Sequence, residues 1–152
     1  MKRFICYALL LCMFFSLIPV TANAAEVSDK NEEVIYFEDG SFLMVSVRTR
    51  NTRSSGSVSA DKVYTFDTGS GVKWEAVLSG SFTYTGSSAT CTSSSVSVDI
   101  YDSAWYTVSK SAGKSGASAT GSVTMGRKAG GITVDKVPLS LKLTCDANGN
   151  LS

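Results

Sequence analysis

The sequence of 152 residues contains no histidine, two prolines and four cysteines. The absence of histidine excludes catalysis by a Ser-His or Cys-His pair and removes the commonest protein ligand for transition metals. After residue 24, no apolar run is long enough to cross a bilayer, and no stretch keeps the 3.6-residue periodicity of an amphipathic helix. The sequence therefore favours neither a histidine-dependent enzyme nor a helical domain.

The N-terminus has the three zones of a secretory signal. Basic Lys2 and Arg3 precede an apolar stretch over residues 4–20, and small residues follow at 21–25. Ala22 and Ala24 fit the A-x-A rule, so we predict a signal peptide over residues 1–24 and a secreted, extracellular protein. Cleavage one residue later and an uncleaved anchor are the alternatives.

The remaining chain is long enough for one domain. Only two of the 14 basic residues lie in the signal, so residues 25–152 carry 12 basic and 13 acidic residues, a net charge of −1. This balance does not favour nucleic acid or an anionic membrane as a partner. We expect a flexible, charged leader over residues 25–33 and a single β domain over residues 34–152.

Two cysteines remain after removal of the signal. Cys6 and Cys12 leave with it, so Cys91 and Cys145 can pair in one way. A disulfide closing a loop of this length would stabilise the fold by roughly 4 kcal/mol, so we predict this bond for an exported protein. Two buried thiols are the alternative. Since two thiols make half of a zinc site, no metal or other cofactor is predicted.

Short β-rich runs separated by turn residues dominate the rest. Residues 34–37 and 42–47 flank an Asp-Gly turn, and residues 61–67 and 72–84 flank a Gly-rich turn, so both pairs predict hairpins. Four further β-rich runs cover residues 91–100, 105–110, 117–125 and 132–145. We therefore predict an all-β, two-sheet antiparallel sandwich of about eight strands, with an immunoglobulin-like fold or a small barrel as alternatives.

The alternation of apolar and polar residues along the strands predicts which side chains face the core. Leu139, Leu141, Leu143 and Cys145 share one face of the last strand. Cys91 would join the inward row formed near residues 96–100 only through a bulge close to residues 93–95. Pro138 predicts an edge strand or a bulge, and Trp74, in step with Ala76 and Leu78, is expected in the core.

Three segments resemble a known group of proteins. They are YFEDGSFLMV at residues 36–45, TGSSATCTSSSVSVDIYDSAWY at 85–106, and SVTMGRKAGG with LKLTCDANGNLS near the end. Here the chain resembles small secreted proteins of Gram-positive, largely clostridial gut bacteria, whose domain has no assigned function. The resemblance implies origin and export, and it brings no activity or site with it.

The segment at residues 99–106 combines aromatic rings with carboxylates. Asp99, Tyr101, Asp102, Trp105 and Tyr106 could together bind a carbohydrate, since rings stack on sugar C–H faces and carboxylates accept hydrogen bonds from hydroxyls. These five residues are the candidate binding site. The favoured interpretation of the segment is nevertheless structural, with Trp105 in the core and Tyr101 and Tyr106 beside it.

Two other groups of residues are weaker candidates for a binding site. Arg48, Arg50 and Arg53 could attract an anionic wall polymer, but a solvated strand end is the favoured interpretation. Residues 146–150 place oxygen ligands like the start of a calcium loop, but Gly149 comes too early and no later glutamate completes the motif. We read this segment as a polar turn.

The expected function is that of an exported, non-enzymatic binding or interaction module. The ligand is unknown, and a cell-envelope polysaccharide or a surface protein is the expected partner. A small envelope hydrolase acting through Asp99 and Asp102 is the alternative from a different class. A secreted toxin or bacteriocin-like protein is a third, without a specific feature in its favour.

Overall fold

A computed structural model describes residues 30–50 and 56–152, and in these residues the chain forms eight β-strands and no helix. The predicted signal peptide and Arg53 lie outside the described residues. The strands are β1 (Lys30–Tyr36), β2 (Phe42–Thr49), β3 (Ser57–Asp67), β4 (Val72–Tyr84), β5 (Ala89–Ile100), β6 (Trp105–Ser115), β7 (Ser118–Ala129) and β8 (Ile132–Thr144). In this part of the chain, no helix has the length and apolarity needed to cross a bilayer.

The strands form two antiparallel sheets. One has the order β1-β2-β3-β4-β5 and the other β6-β7-β8, so within each sheet every strand pairs with its neighbours in sequence, and the chain crosses between the sheets after β5. The predicted all-β sandwich of about eight strands is confirmed, and the sheets do not close into a barrel. The consecutive order also differs from the immunoglobulin alternative, in which Greek-key connections separate sequential strands.

Alternation along β4 builds the centre of the core. Trp74, Ala76 and Leu78 are fully buried, with 0% exposure each, and they belong to one cluster with Met125 and Leu143 of the three-stranded sheet. The prediction that Trp74 is a core residue is confirmed. The residues between them, beginning with Glu75, therefore point to the outer face of the five-stranded sheet.

A glycine in β7 lets the two sheets approach closely. A Cβ atom placed on Gly121 would lie 2.6 Å from Cγ2 of Val96 in β5 and 3.1 Å from the carbonyl oxygen of Ser111. A Cβ atom is essentially never found 2.6 Å from another heavy atom, so β5 can pack on β7 this closely only because residue 121 is a glycine without a side chain.

A β-bulge turns Cys91 toward the core. Ser93 pairs with Ser81, but Cys91 pairs with Phe82, so Thr92 is the additional residue. A bulge was the condition that the sequence set for Cys91 to face the core, and it lies at Thr92, one residue before the segment 93–95. Cys91 is consequently buried, as is Cys145 after the end of β8.

The two cysteines flank the same turn. The backbone N–H of Cys91 donates to the carbonyl of Gly116 at 2.8 Å, and that of Cys145 donates to the carbonyl of Ala117 at 3.0 Å. The structure has both residues as buried thiols, without a disulfide between them. Burial raises the pKa of the Cys91 thiol, which donates a hydrogen bond to the carbonyl of Ser93.

Strand boundaries refine two sequence predictions. β1 begins at Lys30, so its first residues lie in the segment 25–33 that was expected to be a flexible leader. The pairing of residues 30 and 33 with β2 makes them part of the sheet. Pro138 lies in β8, at the edge of the three-stranded sheet, as its missing N–H predicts.

Candidate functional site

The segment at residues 99–106 connects the two sheets. β5 ends at Ile100 and β6 begins at Trp105, so the intervening residues carry the chain from one layer of the sandwich to the other. The backbone N–H groups of Tyr101 and Asp102 both donate to the carbonyl of Lys73, at 2.9 and 3.2 Å. The N–H of Trp105 donates to the carbonyl of Asp102 at 2.9 Å. These hydrogen bonds hold the connection to the start of β4.

Trp105 belongs to the core. The residue is 5% exposed, and its ring centroid lies 5.3 Å from Phe66 in an edge-to-face contact and 6.2 Å from Trp74. Phe66 and Trp74 are themselves stacked, with centroids 4.9 Å apart. A ligand at the surface cannot reach a ring that is enclosed in this way. Of the two interpretations drawn from the sequence, the geometry therefore favours core packing for Trp105.

The Asp102 carboxylate holds the connection together. Oδ1 accepts a hydrogen bond from the backbone N–H of Ala104 at 2.9 Å, and Oδ2 lies 3.3 Å from Nζ of Lys73. The Ala104 hydrogen bond, followed by that from Lys73, lowers the pKa of this carboxyl group. A carboxyl group with a lowered pKa is a poor general acid, which argues against the paired role that a glycosidase would need.

Asp99 lies on the outer face of the five-stranded sheet, directly opposite Glu75 of β4. Tyr101 follows it on the same face, and its side chain is 61% exposed. The negative charge of Glu75 raises the pKa of the Tyr101 phenol, with smaller contributions from burial and from Asp99, and the positive charge of Arg48 opposes them. The phenol therefore lies within electrostatic reach of both carboxylates and of Arg48. Thr65 completes the group by donating a hydrogen bond from Oγ1 to Oε2 of Glu75 at 3.3 Å.

We call Thr65, Glu75, Asp99 and Tyr101 the acidic-aromatic patch. Two like charges directly opposite each other are unfavourable in a sheet, by a few tenths of a kcal/mol up to about 1 kcal/mol. The nearby Lys73 is bound to Asp102 instead. On this hydrogen-bonded sheet surface, the carboxylates of Glu75 and Asp99 lie beside the exposed ring of Tyr101.

Tyr106 lies on the other side of the molecule. Trp105 points into the core, so the next residue points to the outer face of the three-stranded sheet, where it pairs with Gly126. Its hydroxyl is 2.6 Å from Oγ1 of Thr133, and Nζ of Lys128 lies 4.7 Å from its ring centroid. The structure thus separates Tyr106 from Tyr101, and the five predicted site residues do not share one surface.

The arginine cluster is engaged with the sheet. Arg50 makes a bidentate ion pair with Asp61 and also donates to the hydroxyl of Ser79. The hydrogen bond with Asp61 raises the pKa of Arg50. Arg48 is exposed. The paired guanidinium of Arg50 favours the structural interpretation of this cluster over the binding of a wall polymer.

The C-terminal loop is a self-contained turn. Oδ1 of Asp146 accepts hydrogen bonds from the backbone N–H groups of Asn148 and Asn150, both at 2.8 Å, and Oδ2 accepts from the amide of Asn150. These bonds lower the pKa of Asp146. Within residues 30–50 and 56–152, no group of three or more His, Cys, Asp or Glu residues is placed to hold a metal ion.

Glu75 was not identified from the sequence as a site residue. Its alternation with Trp74 and Ala76 shows that it points outward, so that part of its placement was available. Its pairing with Asp99 depends on the register of β4 and β5. The bulge at Thr92 shifts this register by one residue, and the sequence pattern alone does not fix the position of the bulge.

In comparisons with known proteins, no family model, no curated protein and no solved structure matches this chain.

Proposed function

We propose that this protein is an exported, non-enzymatic binding module that holds a cell-envelope glycan on its acidic-aromatic patch. The observation that carries the proposal is the exposed ring of Tyr101 beside the carboxylates of Asp99 and Glu75. The ring offers a flat surface for the C–H face of a sugar, and the carboxylates accept hydrogen bonds from its hydroxyl groups. Export is supported by the three zones of the N-terminal sequence and by the resemblance to secreted clostridial proteins.

The position of the patch on strands suits binding. Glu75 and Asp99 are fixed by the ladder between β4 and β5, and the backbone of Tyr101 is hydrogen-bonded to Lys73. A ligand would therefore meet groups that are already in place, and little ordering of the protein would oppose binding.

The charge of the patch indicates which glycans it accepts. The two carboxylates outnumber Arg48, the one cation that acts on the Tyr101 ring, so the patch would repel a phosphate-bearing polymer such as a teichoic acid, whereas neutral sugars and amino sugars would not be repelled. We therefore expect the ligand to be a neutral or amino-sugar polysaccharide of the envelope.

Retention on insoluble cell-wall polysaccharide tests the proposal. Tyr101→Ala and the double variant Glu75→Gln, Asp99→Asn should each reduce retention at least tenfold, while Tyr106→Ala is the matched control and should bind like the parent. Ten-fold corresponds to about 1.4 kcal/mol, which is within the range of one stacked ring or a few hydrogen bonds. Equal retention of the parent and the Tyr101 variant would contradict the proposal.

An envelope hydrolase is the competing function, and the same material tests it. Release of soluble sugar by the parent protein, lost in Asp99→Asn with folding intact, would establish turnover and replace the binding proposal. We expect no release.

The proposed export also bears on the cysteines. In an oxidising compartment, Cys91 and Cys145 would be joined as a disulfide linking the start of β5 to the end of β8. Both residues hydrogen-bond to neighbouring positions of the β6–β7 turn, and both belong to the same buried cluster. These contacts support the pairing.

A further inference from the structure

The two sheets of the sandwich carry opposite charge. Residues 105–144, which contain the three-stranded sheet, include six basic residues and one acidic residue. Residues 30–104, which contain the five-stranded sheet, include six basic and nine acidic residues. The net charge of −1 over residues 25–152 hides this division. A partner that meets only the three-stranded sheet therefore meets a positive surface.

The hairpin that joins β7 to β8 projects beyond the body of the sandwich. Ala129 pairs with Ile132, and between them Gly130 and Gly131 have positive φ angles of 57° and 82°, so the hairpin closes in a tight two-residue turn. All eight residues over 127–134, which we call the hairpin tip, are exposed. Since successive side chains of a strand point to opposite faces, both faces of the hairpin tip are open to solvent.

The hairpin tip presents aliphatic side chains to solvent. Ile132 is 71% exposed and Val134 is 52% exposed, the highest values among the aliphatic residues that the structure describes. The turn that carries them is already formed, so these side chains can enter an apolar phase while the sandwich stays outside it. Insertion to this shallow depth is how an amphipathic surface binds the boundary between lipid headgroups and acyl chains.

Two lysines lie beside the hairpin tip, on the outer face of the three-stranded sheet. The ring of Tyr106 lies against Gly126 on this face, where an added Cβ atom would be 2.6 Å from Cζ of the ring. Nζ of Lys128 is 4.7 Å from the ring centroid, and Lys136 pairs with Gly126 from the neighbouring strand. Tyrosine and lysine are both suited to the membrane–water interface, since each joins an apolar body to a polar end.

The acidic groups near the hairpin tip are balanced by an arginine. Asp135 is the one acidic residue of the three-stranded sheet, and it lies opposite Arg127. Arg127 is also within electrostatic reach of the carboxyl groups of Asp39 and Asp102. The charge of Arg127 is therefore balanced within the molecule, and the two lysines of the outer face are the cations available to a partner.

We infer that the hairpin tip docks on an anionic lipid membrane, with Ile132 and Val134 between the headgroups and Lys128 and Lys136 at the phosphate groups. A soluble polyanion would attract the lysines but would leave the aliphatic side chains in water. A bilayer with anionic lipids satisfies both features, because a negative surface covers an apolar interior. The acidic-aromatic patch belongs to the other sheet, so this inference does not depend on the proposed glycan site.

Flotation with lipid vesicles tests the inference. The protein is used in its exported form, because the apolar residues 4–20 of an uncleaved N-terminus would bind vesicles by themselves. At about 0.15 M salt, the parent should float with vesicles of phosphatidylglycerol and phosphatidylcholine in equal parts. Its affinity for vesicles of phosphatidylcholine alone should be at least about tenfold lower, because these vesicles carry no net charge.

Variants of the hairpin tip separate the two parts of the interaction. Ile132→Ser should weaken binding to the anionic vesicles at least about fivefold. The double variant Lys128→Gln, Lys136→Gln should weaken it about 25-fold, at about fivefold for each lysine. Val108→Ser, at a valine that is 43% exposed on β6, is the matched apolar control. Lys142→Gln, near the other end of β8, is the matched charge control, and both controls should bind like the parent.

A tryptophan at the hairpin tip reports insertion directly. Trp74 and Trp105 are already buried, so the emission of Ile132→Trp should move to shorter wavelengths on addition of anionic vesicles while that of the parent stays unchanged. Binding without this change, or a parent that does not float, would overturn the inference. Full binding by Ile132→Ser together with loss in the lysine variant would identify a surface for soluble polyanions instead and would equally overturn it.

Discussion

Replacing Trp105 with alanine should destabilise the fold without affecting glycan binding. The ring is almost completely buried and contacts Phe66 and Trp74, so truncation removes a large apolar side chain and two aromatic contacts. Truncation of a buried tryptophan lowers the free energy of unfolding by about 3–5 kcal/mol. For a domain of this size that corresponds to a fall in Tm of roughly 10–20 °C.

Urea unfolding followed by the fluorescence of the remaining Trp74 measures this loss. Trp105→Phe is the matched control, because it keeps an aromatic ring in the core and should lose less than half as much stability. Below the transition, the alanine variant should retain glycan as well as the parent. A loss under about 1 kcal/mol together with abolished retention would refute the assignment of Trp105 to the core and return it to the binding surface.

Three further predictions concern charge, packing and oxidation. Asp102 has a lowered pKa in the fold, so its contribution to stability is present above the ordinary value of about 4 and is lost as pH falls through the lowered pKa. Asp102→Asn should therefore flatten the acid limb of Tm against pH, and an unchanged limb would contradict the contacts described. Gly121→Ala should lower the unfolding free energy by about 1–3 kcal/mol in urea titration, because its methyl group would collide with Val96; wild-type stability would show that the sheets can separate there. Mass spectrometry of exported protein alkylated before reduction should find Cys91 and Cys145 unmodified, and two alkylated thiols would disprove the disulfide.

Strand positions and the core could be predicted from the sequence. Alternation at Trp74, Ala76 and Leu78 marked a strand with one buried face, and the Asp39-Gly40 and Gly69-to-Gly71 turns marked hairpins. Such patterns are local, and they hold wherever one face of a strand is buried. The start of β1 was missed because residues 30–33 are polar, and a polar edge strand has the composition of a linker.

The site could be predicted only in part. Asp99 and Tyr101 lie at the surface together, but the layer to which each aromatic ring belongs depends on where the chain crosses between sheets. The crossing falls between Tyr101 and Trp105, and this separates rings that are close in sequence. Glu75 belongs to the site because β4 pairs with β5 in the register that places it opposite Asp99. That register is a long-range property that the sequence pattern does not specify.

Chemical-shift mapping tests the central claim most directly. The protein is titrated with soluble oligosaccharides released from the cell envelope, and the perturbed backbone amides are assigned. We predict saturable shifts centred on Glu75, Asp99 and Tyr101, and none at Tyr106 on the opposite face. Shifts centred on Tyr106, or none with any envelope oligosaccharide, would contradict the account.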